Sequence, residues 1–179
     1  MTGRFIAVVG PSGVGKDSVM RAMAADPRLV LARRVITRPG DAGGEDFEGV
    51  SESRFLQMQT AGEFALSWPA HGLHYGIPVT VDRTLEQGVD MLANLSRAQI
   101  VTAKQRFERC EVIVLTAKRE VLAQRLMARG RESAEQVEHR LNRASFALPD
   151  GVAAHIVDNS GPLDLAVQTA LSLLYPARS

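Results

Sequence analysis

The chain has 179 residues, one cysteine and a formal net charge of +1, from 21 basic and 20 acidic side chains. This near-neutral balance argues against nucleic-acid binding as the main function, because affinity for a phosphate backbone requires many clustered cations. One cysteine excludes an intrachain disulfide, and the sequence predicts neither a membrane span nor a signal peptide. We expect a single cytoplasmic domain, working as a monomer or a homodimer.

A glycine-rich loop follows the first predicted strand. The apolar run Phe5–Val9 is typical of a strand buried in a parallel sheet, and apolar residues after the loop repeat with helical spacing. The loop amides and the helix N-terminus are suited to binding phosphate, with Lys16 reaching the terminal phosphates of the ligand. The loop has the spacing G-x-x-x-x-G-K and consists of Gly10, Pro11, Ser12, Gly13, Val14, Gly15, Lys16, Asp17 and Ser18.

One position of this loop departs from the usual pattern. Asp17 stands where a Ser or Thr hydroxyl normally binds Mg²⁺. A carboxylate is a good ligand for Mg²⁺, directly or through water, and a negative charge suits the first helical turn. Ser18 cannot easily replace it, because its side chain lies about 100° further around the helix. We therefore expect Asp17 to bind Mg²⁺; the alternative is a glycine-rich turn without a ligand.

Strands and helices alternate along the rest of the chain. Strands are predicted at 29–36 with an interruption at 32–34, and at 64–68, 89–95, 111–115 and 153–157. Helices are predicted near 55–62, after Leu95 through Phe107, from Arg119 to Gly130, from Ser133 to Leu148 and from Leu163 to Leu174. Residues 40–46 are predicted as a surface loop, and residues 69–78 as a loop rich in groups able to bind ligands. The alternation predicts a three-layer α/β fold, with a mostly parallel sheet and helices on both faces.

The region from Arg119 to Leu148 is predicted to be a helical hairpin hinged at Gly130. Ser133 and Gln136 match a capping box at the start of its second helix. A lid that closes over a phosphoryl group could use the arginines of such a hairpin, although a solvated basic face is the alternative. These arginines are Arg125, Arg129, Arg131, Arg140 and Arg143.

Several motifs together resemble the guanylate-kinase-like group of P-loop phosphotransferases over nearly the whole chain. They are GPSGVGK at 10–16, TRP at 37–39, GEF at 62–64, YG at 75–76 and QVEHRL at 136–141. Within this group, four segments resemble the ribose 1,5-bisphosphate phosphokinase family: GKD at 15–17, RRVITRP at 33–39, GGED at 43–46 and SWPAHGLHYGIP at 67–78. The resemblance implies ATP-dependent phosphorylation of ribose 1,5-bisphosphate to 5-phospho-α-D-ribose 1-diphosphate, a step of phosphonate catabolism.

The same comparison separates the chain from guanylate kinases. Leu66 stands where those enzymes typically bind guanine through a glutamate, and Phe47 and Gly40 replace a tyrosine and an arginine for the acceptor phosphate. Leucine cannot accept hydrogen bonds from guanine, so GMP is expected to be a poor acceptor. Two residues also depart from the ribose 1,5-bisphosphate phosphokinase pattern: Phe47 replaces an expected histidine and Leu95 an expected glycine.

The resemblance implies a role for each part of one kinase domain, 1–179. The core would comprise 1–32, 89–128 and 149–179, with a small acceptor-binding region at 33–88 and a helical lid at 129–148. Lys16, Arg129 and Arg140 would be catalytic, and Asn159 would join the loop in binding nucleotide. The sugar phosphate would be bound by Arg34, Arg38, His71, Tyr75 and Asn94.

The predicted reaction requires no general base, because an acceptor phosphate supplies its own ionised oxygen. Two other functions remain open from the sequence. One is a guanylate or other nucleoside monophosphate kinase. The other is a noncatalytic guanylate-kinase-like binding module, which the intact glycine pattern and Lys16 disfavour.

Overall fold

The computed structural model describes residues 2–42, 44–130, 132–143 and 147–177. The strands are β1 (Phe5–Val9), β2 (Leu29–Leu31), β3 (Arg34–Ile36), β4 (Phe47–Gly49), β5 (Phe64–Ala70), β6 (Leu73–Pro78), β7 (Asp90–Asn94), β8 (Cys110–Thr116) and β9 (His155–Asp158). The α-helices are α1 (Lys16–Met23), α2 (Glu52–Thr60), α3 (Val81–Glu86), α4 (Ile100–Arg106), α5 (Arg119–Ala128), α6 (Ala134–Arg143) and α7 (Leu163–Leu174). A 3₁₀ turn (Arg97–Gln99) precedes α4.

The central sheet is entirely parallel and has the strand order β2-β7-β1-β8-β9. β1 lies in the middle, and all five of its residues are buried. Its residues alternate between two cores, as the two-residue period of a strand requires. Ile6 and Val8 pack with α1, α5, α6 and α7 on one face, and Phe5, Ala7 and Val9 pack with α3 and α4 on the other. The predicted α/β fold is confirmed.

A second sheet, of order β4-β3-β6-β5, covers part of one face of the central sheet. Leu66 and Trp68 of β5 and Ile77 of β6 pack into the same core as α3 and α4. This layer is therefore built from a sheet as well as from helices. Within the small sheet, β3 pairs in parallel with β4 and antiparallel with β6, while α2 packs on it through Phe55 and Met58.

Two sequence predictions are wrong in this region. The strand predicted at 29–36 is two strands in different sheets, because the Ala32 amide makes a last bond to the Leu92 carbonyl, at 2.8 Å, before the chain crosses over to β3. The predicted loop at 69–78 is mostly strand: β5 and β6 form a hairpin that turns at His71 and Gly72. The alternation of Leu73, Tyr75 and Ile77 is the strand signal that the histidines, glycine and proline obscured. The short elements β4 and α3 were also not predicted.

The helical hairpin forms around Gly130 as predicted, but its second helix, predicted to reach Leu148, is described only from Ala134 to Arg143, and Leu148 lies outside any helix. Gly130 adopts a left-handed conformation, with φ of 62°, directly after α5. The capping box is present: the Ser133 amide donates to the Gln136 Oε1 atom at 2.9 Å, and the Gln136 amide donates to the Ser133 Oγ atom at 3.3 Å. The spacing of Val137, Leu141, Ala144 and Leu148 predicts an apolar stripe on this second helix. Val137 and Leu141 are buried, whereas Leu148 packs against the core beneath the small sheet. Ala144 lies outside the described residues. Within the described part of the chain, every helix is too short or too polar to cross a bilayer.

Candidate active site

The glycine-rich loop joins β1 to α1 at the carboxyl edge of the central sheet. Gly13 and Gly15 have φ values of 83° and 90°, which residues with a β-carbon adopt only at a cost. A β-carbon on Gly15 would lie 2.8 Å from the Nδ2 atom of Asn159, so the loop also needs glycine there for space. α1 begins at Lys16, and its first N–H groups open onto the loop. These features suit the binding of phosphate.

The Lys16 ammonium group lies across this loop. Its Nζ atom donates to the carbonyl oxygen of Gly10 at 2.8 Å. Burial lowers the pKa of Lys16 to about 8; Asp17 opposes this shift, whereas the positive charges of Arg34 and Arg129 add to it. A poorly solvated cation forms a strong charge-assisted hydrogen bond with a bound phosphate. Lys16 is therefore placed to interact with the phosphates of a nucleotide.

Two side chains from distant elements hold the loop in place. Asn159, directly after β9, is buried, and its Nδ2 atom donates to the Val14 carbonyl oxygen at 2.8 Å. Arg125 of α5 donates from Nη1 to the same oxygen at 3.1 Å and from Nη2 to the Asn159 carbonyl at 2.7 Å. The side-chain amide of Asn159 thus braces the loop. A direct contact between Asn159 and the nucleotide stays a prediction.

A chain of hydrogen bonds connects α1 to the small sheet. The Asn94 Nδ2 atom donates to Asp17 Oδ1 at 3.3 Å, and Arg34 Nη1 donates to the Asn94 carbonyl at 3.2 Å. Arg34 also donates to both carboxylate oxygens of Glu45, from Nε at 2.9 Å and from Nη2. The guanidinium of Arg34 lies over the Tyr75 ring, with its Cζ atom 4.9 Å from the ring centroid. The structure therefore brings four predicted residues together: Asp17, Asn94, Arg34 and Tyr75.

Arg38 lies in a different environment at the end of β3. Its Cζ atom is 4.3 Å from the centroid of the Phe47 ring, and it lines a cavity of about 420 Å³ together with His74. The His74 Nε2 atom is 3.6 Å from Glu52 Oε1. His71 is instead exposed in the turn of the hairpin, with φ of 52°. The histidine that shares a cavity with Arg38 is therefore His74 and not the predicted His71.

The predicted lid arginines differ in their surroundings. Arg129 is exposed at the end of α5, and its positive charge helps to lower the pKa of Lys16. Arg140 of α6 forms an ion pair with Glu132, with 2.7 Å between Nη2 and Oε1. Arg131 and the side chain of Arg143 lie outside the described residues. Of the two predicted catalytic arginines, Arg129 is thus the one electrostatically linked to the phosphate loop.

Comparisons with known proteins agree over the whole chain. The chain is 52% identical over 179 residues to a protein of Ruegeria sp. (strain TM1040) named ribose 1,5-bisphosphate phosphokinase, covering 99% of this chain and 94% of that one. Proteins of the same name from Pseudomonas fluorescens and Agrobacterium fabrum are 46% and 45% identical, covering 97% and 95% of this chain and 96% and 95% of their own.

The chain belongs to the ribose 1,5-bisphosphate phosphokinase family. A guanylate kinase from Anaplasma phagocytophilum has the same fold as this member of the family, with a TM-score of 0.67, 16% identity and coverage of 99% of this chain and 98% of that one. No protein-family model matches the chain. The predicted resemblance is confirmed by the relatives, and the fold by the guanylate kinase.

Two residues of this family member's site were missed by sequence reasoning. Arg125 was grouped with the lid arginines, but it braces the phosphate loop from α5. Glu45 was included in a surface loop, although its side chain is only 16% exposed and pairs with Arg34. The signal in the sequence for Glu45 is its place in the GGED segment at 43–46, which resembles the ribose 1,5-bisphosphate phosphokinase family. No sequence signal distinguishes Arg125, because both of its acceptors are backbone carbonyls.

Proposed function

We propose that the protein transfers the γ-phosphoryl group of ATP to the 1-phosphate of ribose 1,5-bisphosphate, which yields 5-phospho-α-D-ribose 1-diphosphate. The observation that carries this proposal is 45% to 52% identity, over nearly the full chain, to proteins named ribose 1,5-bisphosphate phosphokinase. The loop with Lys16 supplies the charge and the amides needed for the nucleotide phosphates. We also propose that the protein works in the cytoplasm, in phosphonate catabolism.

Phosphoryl transfer depends on position and on charge. Lys16 and the amides of residues 13–18 bind the β- and γ-phosphates, which aligns the γ-phosphorus with the acceptor. Arg34, Arg38 and Tyr75 bind the acceptor phosphates, and Arg129 and Arg140 stabilise the negative charge of the transferred group. An ionised oxygen of the 1-phosphate attacks, the bond from the γ-phosphorus to the bridging oxygen breaks, and ADP leaves. No proton has to be removed by a side chain.

The surroundings of Asp17 fit a magnesium ion. Its carboxylate lies in the first turn of α1 and is partly exposed, and one of its oxygens accepts from Asn94. No cluster of three His, Cys, Asp or Glu side chains that could hold a metal occurs among the described residues. Magnesium is commonly held by one or two carboxylates together with substrate phosphates, and Asp17 supplies one such carboxylate beside the phosphate loop. Bound there, Mg²⁺ would neutralise charge on the β- and γ-phosphates.

The environment of Leu66 argues against guanine as the acceptor. Leu66 is 4% exposed and packs with Trp68 and Ile77 in the core beneath the small sheet. Such a position offers no hydrogen-bond acceptor to guanine, and each buried donor left unpaired costs about 1 to 3 kcal/mol. We therefore propose that the acceptor region 33–88 selects a sugar phosphate over a nucleotide, with 129–148 as the lid.

Acceptor assays test this proposal directly. The purified protein with ATP and Mg²⁺ is expected to release ADP rapidly with ribose 1,5-bisphosphate and slowly with GMP, as followed by coupled ADP detection and phosphorus NMR of the product. A preference for GMP would show that the protein is a nucleoside monophosphate kinase. If calorimetry detects no ATP binding, the noncatalytic binding module becomes the better description.

A further inference from the structure

A carboxylate occupies the part of the site where the acceptor is proposed to bind. Glu45 accepts from Arg34, which also donates to the Asn94 carbonyl, and Asn94 donates to Asp17 next to Lys16. The side chains of Arg34 and Glu45 are only 9% and 16% exposed. Glu45 is thus held within the same hydrogen-bonded chain as the metal position, although it lies on the loop between β3 and β4.

The charge of the acceptor makes this position unusual. A sugar bisphosphate is strongly anionic, and a carboxylate near it repels the phosphates unless it faces another part of the molecule. On ribose 1,5-bisphosphate that other part is the sugar ring, whose hydroxyl groups are hydrogen-bond donors. A carboxylate is an acceptor only, with about four lone-pair directions. Arg34 uses one direction on each oxygen of Glu45, which leaves acceptor capacity on both.

The surroundings of Glu45 provide space and rigidity for such an interaction. Glu45 lines a cavity of about 120 Å³ together with Asp17, Asn94 and Ala32, large enough for a few waters or one small polar group. Arg34, which fixes the carboxylate, is itself fixed by the Tyr75 ring and the Asn94 carbonyl. A charged acceptor held in this way is preorganised for hydroxyl groups.

We propose that Glu45 is a specificity-determining residue of the acceptor site, whose carboxylate accepts hydrogen bonds from the hydroxyl groups of the ribose ring. This inference rests on the proposed function. Arg34 holds the carboxylate in place and offsets its negative charge beside the acceptor phosphates. Acceptors that lack a ring hydroxyl lose a charge-assisted hydrogen bond and leave part of the Glu45 carboxylate desolvated without a partner.

The test compares ribose 1,5-bisphosphate with 2-deoxyribose 1,5-bisphosphate. The unmodified protein is expected to have a kcat/KM about 10- to 100-fold higher for the ribose compound. Glu45→Ala is expected to lower kcat/KM for ribose 1,5-bisphosphate at least about tenfold, with a much smaller effect on the deoxy compound. Glu45→Gln keeps the volume of the side chain and is expected to reduce the preference by an intermediate amount. Glu48→Gln, an exposed carboxylate removed on the neighbouring strand β4, is the matched control and should keep the preference.

The possible outcomes separate this inference from the proposed function. If the unmodified protein phosphorylates both sugars equally well, the role of Glu45 is disproved while the kinase function stands. If the Glu45 variants lose activity on both sugars to the same extent, Glu45 acts only by positioning Arg34, and the inference is overturned. If the unmodified protein phosphorylates neither sugar, the proposed function itself fails. Equal rates of the unmodified protein with the two sugars overturn the inference even if a variant does not fold.

Discussion

The protonation of Lys16 provides a prediction at the scale of one residue. Burial lowers its pKa from 10.5 to about 8, so the side chain is charged below that pH and increasingly neutral above it. Because kcat/KM for ATP reports the free enzyme, we expect it to fall as the pH rises through about 8. Steady-state rates with saturating ribose 1,5-bisphosphate measure this profile. Lys16→Arg, if active, should abolish the fall, because arginine stays charged; a flat profile for the unmodified protein contradicts the prediction.

Replacement of Lys16 tests its role in phosphoryl transfer. Lys16→Ala removes the cation beside the nucleotide phosphates, and we expect kcat to fall at least about 100-fold. The unfolding temperature should not decrease, because the lost side chain is a desolvated cation that contributes little packing. Lys104→Ala is the control, since it removes an exposed lysine from α4 and should change neither quantity. An unchanged kcat would exclude Lys16 from the mechanism.

At the scale of elements, α5 and the segment after β9 fix the conformation of the phosphate loop. Arg125→Ala removes two hydrogen bonds, to the carbonyls of Val14 and Asn159. We expect the KM for ATP to rise about tenfold and the free energy of unfolding to fall by about 1 to 3 kcal/mol. ATP titration and thermal denaturation measure the two effects. Gln124→Ala, an exposed neighbour on the same helix, is the control. A lower stability with an unchanged KM would mean that the brace supports the fold and not the loop.

The elements of the two sheets differ in how well the sequence predicts them. β1, α1 and β5 have long or strongly periodic apolar patterns, and the sequence places each of them close to its observed bounds. β4 has three residues and α3 has six, which is too short for a period to be recognised. β6 is stabilised by pairing with β3 and β5, an interaction between residues distant in sequence that local composition does not encode.

On the scale of the whole molecule, one polar network connects both ends of the chain. The Arg4 guanidinium donates to Asp90 Oδ2 from Nε at 3.0 Å and from Nη2 at 2.6 Å, and the Arg4 backbone amide donates to Asp90 Oδ1. The Tyr175 hydroxyl also donates to Asp90 Oδ2, at 2.7 Å. Burial alone raises the pKa of Asp90, but the hydrogen bonds from Arg4 and Tyr175 outweigh it and leave the pKa below its ordinary value. The network therefore stabilises the fold while Asp90 is ionised.

Asp90→Asn tests this network. Because the pKa of Asp90 is lowered in the folded state, the stability from its ionised form is present above the unfolded pKa of about 4 and is lost as the pH falls through the folded value. We expect the substitution to cost about 2 kcal/mol near neutral pH and progressively less in acid, as measured by denaturant unfolding. Asp82→Asn, which removes a more exposed partner of Arg106, should cost less than about 1 kcal/mol. A stability cost that does not depend on pH would contradict the role of ionised Asp90 in this network.

The sequence by itself determined the fold class, the phosphate loop and the family of this protein. Each of these depends on residues that are close along the chain: the glycines and Lys16 of the loop, the capping box at Ser133, and the apolar run of β1. Local spacing fixes backbone conformation and helix or strand period, so these features are visible without coordinates. The assigned roles of Arg34, Arg38, Tyr75, Arg129 and Arg140 stay predictions.

Only the tertiary structure decided which polar side chains meet. Glu45 reaches Arg34 across a glycine-rich loop, Arg125 reaches Val14 over 111 positions, and His74 lines a cavity together with Arg38. The physical reason is that such contacts follow from strand pairing and from the packing of α5 and the small sheet on the central sheet. A desolvated ion pair or a brace to a backbone carbonyl leaves no periodic pattern in the sequence, so it appears only once the layers are assembled.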